Sequence, residues 1–132
     1  MATRTTIRTQ ILGSDGASAS RSTINDNTNA STSLNIVTIT SADSPFTPAI
    51  TDELVLCDAT SGAITVALRP LADVANRVLT IKKTDSSGNA VTIDGDASEQ
   101  VEQSGGTLST TRSLSSQGAK ARLVASSAWF DV

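Results

Sequence analysis

The chain has 132 residues, a formal net charge of −3, no histidine and only 2% aromatic residues. The missing histidine removes the usual general base, the usual transition-metal ligand and any Ser-His or Cys-His pair. The acidic balance gives no reason to expect nucleic-acid binding across the surface, and no apolar run approaches the ~20 residues of a membrane helix.

The opening segment, residues 1–33, is dominated by Thr, Ser and Asn, and its main apolar residues are Ile7, Ile11, Leu12 and Ile24. It cannot close a core of its own and reads as an extended N-terminal arm. Arg4, Arg8 and Arg21 make this end mildly basic. Arg4, Ile7, Arg8, Ile11 and Leu12 are therefore candidate contacts to a neighbouring subunit or to a larger assembly. A tail without a role is the alternative. Met1 to Thr6 carries no apolar stretch of the kind a secretory leader needs, and Cys57 has no second cysteine to pair with. Synthesis in a reducing cytosol is the expectation.

From Leu34 the pattern changes, and residues 34–132 read as one all-β domain, a β-sandwich or jelly-roll-like barrel of seven to nine short strands. The predicted strands are Leu34–Thr40, Asp52–Asp58, Ile64–Leu68, Val78–Lys83, Ala90–Asp94, Leu108–Leu114, Ala119–Ala125 and Ala128–Val132, with a further apolar point at Val101. Ser44-Pro45-Phe46-Thr47-Pro48 breaks the first strand from the second. Arg69 to Arg77 reads as a connection with room for one helical turn. Between Gly62 and Gly95 the period of two in Ile64/Val66/Leu68, Leu79/Ile81 and Val91/Ile93 predicts a meander, with Asp85-Ser86-Ser87-Gly88-Asn89 as a hairpin loop. Val, Ile and Thr are stiff at χ1 and favour such a pleated surface over a helix.

Chemistry-bearing patterns are few. The stretch Asp94-Gly95-Asp96-Ala97-Ser98-Glu99 concentrates carboxylates but lacks the spacing of an EF-hand loop. No Tyr and one Trp leave no aromatic platform for glycosidic cleavage, which counts against a small polysaccharide depolymerase. Cys57, inside a strand-like run, reads as a small buried hydrophobe and not a nucleophile. No catalytic residue, metal or cofactor is assigned. The interior looks thin, because Phe46, Trp129 and Phe130 are the only aromatic residues and much of the apolar content is Ala. Association of identical subunits would offset the small apolar area per residue. Trp129 and Phe130, adjacent on a strand, point to opposite faces, so one lies in the core and the other faces outward or into a neighbour. Both enter the set of candidate subunit contacts, with a sugar-stacking site as the alternative.

The runs Ile64-Thr65-Val66-Ala67-Leu68-Arg69-Pro70, Arg77 to Asp85 and Val91-Thr92-Ile93-Asp94-Gly95 resemble a small all-β module of tailed-bacteriophage virion proteins. The likeness extends roughly from Leu54 to Val132. It departs at Val101-Glu102-Gln103, where the module has an Ile-Asp-Gly type of turn, and the chain stops at Val132, which fits a short free-standing protein better than a long fibre. The resemblance implies a non-enzymatic virion structural protein. The expected form is a homotrimeric capsid cement or decoration protein on the capsid exterior, made in the host bacterial cytoplasm and bound to the major capsid protein or other virion proteins. A tail-fibre or receptor-binding component contacting a host glycan or protein is the second expectation. Neither nucleic acid nor a membrane is an expected partner.

Overall fold

The computed structural model describes residues 3–6 and 33–132, which form eleven strands and two single 3-10 turns. In chain order the strands are β1 (Thr3–Thr6), β2 (Asn35–Thr40), β3 (Leu54–Asp58), β4 (Ile64–Ala67), β5 (Val78–Lys83), β6 (Val91–Asp94), β7 (Val101–Glu102), β8 (Leu108–Ser109), β9 (Thr111–Leu114), β10 (Lys120–Ala125) and β11 (Trp129–Asp131). They make an eight-stranded sheet, β1-β2-β3-β5-β10-β11-β7-β8, and a three-stranded sheet, β4-β6-β9. The two sheets share one apolar interior, so the all-β, two-sheet architecture expected from the strand spacing is present. Of the arm, only β1 is described, paired antiparallel with β2. The candidates Ile7, Arg8, Ile11 and Leu12 lie outside the described residues.

The connectivity differs from the expected meander. β2, β3 and β5 are parallel neighbours in the larger sheet, β4 and β6 are parallel neighbours in the smaller one, and Phe46 adds a parallel bridge beside Val66. The chain therefore winds as a short β-solenoid: larger sheet, corner, smaller sheet, return, and again. The later strands fold back antiparallel, β10 on β5 and β9 on β6, and end the coil. The stretch Asp85 to Asn89 is a corner between sheets and not a hairpin, because β5 and β6 belong to different sheets. The return from β4 to β5 contains the single 3-10 turn Leu71–Asp73. Leu108 to Leu114 is split at Thr110, where the chain leaves β7 for β6 and so changes sheet.

Winding gives modest side chains a continuous core. Register stacks Val37 on Val55, Val55 on Ile81 and Ile81 on Ala121, so one inward row crosses four strands. Facing it are Ile64 beside Val91 and Leu114, and Val66 beside Ile93, all buried. Stacked β-branched residues interdigitate without needing large aromatics. The interior that composition made look thin is filled within a single chain.

The corners carry the polar structure. Ala59, at the β3–β4 corner, is fully buried, and its backbone groups are satisfied from the next turn of the coil. Its N–H donates to Asp85 Oδ1 at 2.8 Å, and its carbonyl accepts from Asn89 Nδ2 at 2.8 Å and Ser87 Oγ at 3.1 Å. Lys83, at an inward position of β5, donates to Asp85 Oδ2 at 2.7 Å and is itself wholly buried. Both backbone groups of Ala59 thus meet side-chain partners, as buried polar groups require.

Candidate interaction face and cleft

Alternation along the strands of the larger sheet sends Val37, Val55, Ile81 and Leu123 inward and leaves their neighbours on the outer face. That face is not simply polar. One register row runs Thr38, Leu56, Lys82, Lys120, the next runs Ile36, Leu54, Thr80, Arg122, and a third joins Val78, Val124 and Phe130. Aliphatic side chains and three cations share it. None of Lys82, Lys120 and Arg122 has an ion-pair partner among the described residues. Lys82 stands directly opposite Lys120, an arrangement that repels across paired strands.

The buried charges among the described residues, Asp52, Lys83, Asp85 and Arg112, are engaged. Arg112, 8% exposed, donates to Asp131 Oδ2 and to the Glu102 carbonyl, both at 2.9 Å, and ties β9 to β7 and β11. Asp85 is buried, which raises its pKa, but the hydrogen bonds from Lys83 and Ser87 and the N–H groups of Ala59 and Ser87 outweigh burial and hold its carboxyl well below the usual range. Burial and the nearby Asp85 charge push the Cys57 thiol up to about 12, so it has no thiolate to offer near neutrality. The acidic loop after β6 is used for turn building. Glu99 Oε1 accepts from Leu71 N–H at 2.9 Å, and a Cβ on Gly95 would lie 2.2 Å from the Glu99 carbonyl, so only glycine closes that corner. Among the described residues no three Cys, Asp or Glu side chains gather to hold a metal ion.

Beside Val78, where the approach to β3, the β4–β5 connection and the start of β11 meet, a cleft opens. Pro48, Ile50, Val74, Val78, Leu79 and Trp129 form its apolar walls, and Asp52, Arg69 and Arg77 its polar groups. Arg69 Nε donates to the Pro48 carbonyl at 2.6 Å.

Of the contact residues chosen from sequence, Arg4 lies on the β1 backbone, Trp129 is 2% exposed within the core, and Phe130 is half-buried on the outer face. Trp129 thus packs inside its own subunit, and Phe130 alone of the pair can reach a neighbour. Sequence reasoning missed Lys82, Lys120 and Arg122. Their signal was cations at the outward phase of otherwise apolar strands, but which strands stand side by side is not written locally. Comparison of the chain with family models, with curated proteins and with solved structures gives no match.

Proposed function

We propose that this chain is a non-enzymatic structural protein of a tailed-bacteriophage particle, a homotrimeric cement or decoration protein on the capsid exterior. The observation that carries the reading is the outer face of the larger sheet, which keeps aliphatic side chains outward, together with cations that have no ion-pair partner among the described residues, although the interior is already filled. A face of this composition suits contact with protein, since apolar patches mark association sites and complementary charge selects the partner. The Val78–Val124–Phe130 row serves identical copies, and Lys82, Lys120 and Arg122 meet an acidic surface of the shell. The arm, with Arg4, Ile7, Arg8, Ile11 and Leu12, extends that attachment. Burial spread over several such contacts resists outward pressure by mass action, without chemistry.

Light scattering of the purified chain is expected to give the mass of a trimer. In purified particles the chain is expected in numbers comparable to the major capsid protein. A monomer in solution, or a handful of copies per particle, would overturn the cement reading. The handful would favour the second reading, a fibre tip, for which the open polar groove lined by Gln103, Ser104, Arg112, Ser113, Ser116 and Lys120 offers a surface for a glycan.

A further inference from the structure

We infer that the free edge of β9 is a docking site for an extended acidic segment of a partner protein, which joins the smaller sheet as a fourth strand. The smaller sheet stops at β9, while the larger one continues past β10 to β11, β7 and β8. Along an antiparallel pair, facing residues alternate between hydrogen-bonded and non-bonded positions, and the N–H and C=O of one residue point to the same side. Gly95 N–H donates to the Thr110 carbonyl at 2.9 Å, so Arg112 and Leu114, in phase with Thr110, turn their backbone groups to β6. Thr111 and Ser113 turn theirs away. Gln103 Nε2 agrees with this phase, because it reaches the Thr111 carbonyl at 2.9 Å. Past that side-chain plug the edge is open, and the backbone groups of Ser113 and Ser115 have no partner on the free side among the described residues.

A groove of about 300 Å³ lies against Arg112 to Ser116, and Gln103, Ser104, Ala119 and Lys120 complete its lining. That volume is enough to seat a ligand, and bare N–H and C=O groups at strand spacing are what an extended peptide pairs with. No aromatic ring lines the groove, so a sugar finds no face to stack on, and a strand matches it better than the glycan of the fibre-tip reading. Charge narrows the occupant further. No carboxylate lines the groove, Arg112 is neutralised by Asp131, and exposed Lys120 has no ion-pair partner among the described residues. The chain's own opening run, Met1 to Leu12, brings Arg4 and Arg8 and no carboxylate, so like charge opposes it. An acidic segment complements Lys120. Binding of this kind needs no assembled particle.

The full-length chain is titrated by fluorescence anisotropy with a short labelled peptide that alternates Glu with Val. Two further forms are compared, one with Lys in place of Glu and one with alternate backbone nitrogens methylated. The Glu peptide is expected to bind saturably, with the methylated form weaker by about tenfold, since methylation removes donors to the edge and keeps the charge. Ser113→Pro is expected to weaken the Glu peptide by a similar factor. The N–H it deletes points away from β6, and edge strands tolerate proline on that side, so the fold is kept, which circular dichroism verifies. Where that variant unfolds, the methylated peptide tests the same bonds from the other partner. Lys120→Glu is expected to reverse the order of the Glu and Lys peptides. No saturable binding, a methylated peptide equal to its parent, or an order that Lys120→Glu leaves unchanged overturns the inference. Displacement of the peptide by trigalacturonate would give the groove to an acidic glycan, and self-association that Ser113→Pro abolishes would give the edge to a second copy; either result overturns the partner segment.

Discussion

Lys83 occupies a position on β5 that alternation gives to the core, after Leu79 and Ile81, and its ammonium is buried against Asp85. The two partners are not equivalent. Without Lys83 the Asp85 carboxylate keeps donors from Ala59 N, Ser87 N and Ser87 Oγ, whereas without Asp85 the ammonium keeps only the Asp85 backbone carbonyl. Asp85→Asn is therefore expected to lower the thermal midpoint by more than about 10 °C, and Lys83→Met by less than half of that. Equal losses in a calorimetric comparison would contradict this account of the corner. The acid limb follows the same residue. Its folded carboxyl titrates below the ordinary 3.8, so the stability it supplies is complete above that value and is lost as the pH falls beneath it. Unfolding midpoints measured down through about pH 4 should decline in the parent, and more shallowly in Asp85→Asn. Cys57, fully buried with a raised pKa, should ignore a thiol reagent in the native protein and react fully once guanidinium unfolds it. Prompt native reaction would mean that the β3 row opens.

At the scale of the element, adjacent residues on β11 separate the interior from the outer face. Trp129→Ala removes a core side chain at the meeting of β11 and β7 and is expected to cost about 3–5 kcal/mol of subunit stability. Phe130→Ala, on the outward Val78–Val124 row, is expected to leave a folded subunit within about 1 kcal/mol of the parent while weakening self-association. Sedimentation velocity across a dilution series reads the second effect, and unchanged association would remove Phe130 from the interface. The same elements show what the sequence carries. Strand positions are legible because alternation is local, and Leu79/Ile81 or Val91/Ile93 announce it within a few residues. Pairing is not. Asp85 to Asn89 has the composition of a turn whether the chain then doubles back or crosses to another sheet. The side chains that decide, Asp85 and Asn89, act on Ala59, far away in sequence. One local trace existed: a lysine at the inward phase of β5, which a simple hairpin would not bury. The cleft is still less legible, since its walls come from three separate stretches.

Across the whole molecule, charge and its placement disagree. The chain is acidic overall at −3, yet Lys82, Lys120 and Arg122 are gathered on the outer face of the larger sheet with no carboxylate among the described residues paired to them. An isolated subunit gains nothing from Lys82 opposite Lys120 and is expected to lose a few tenths of a kcal/mol by it. Lys82→Glu turns the repelling pair into an attracting one. In the dilute limit, where subunits are separate, it should raise the stability of the subunit by about 0.2–1 kcal/mol, more at low salt than at high salt. If the face docks on an acidic surface, the same substitution places a negative charge in that contact. Attachment to shells stripped of the protein should then weaken and lose part of its salt dependence. A gain in subunit stability with a loss of attachment is the expected pair of results. A more stable variant that attaches as tightly as the parent would show that the cationic row faces solvent in the assembly, and would move the attachment surface elsewhere on the molecule.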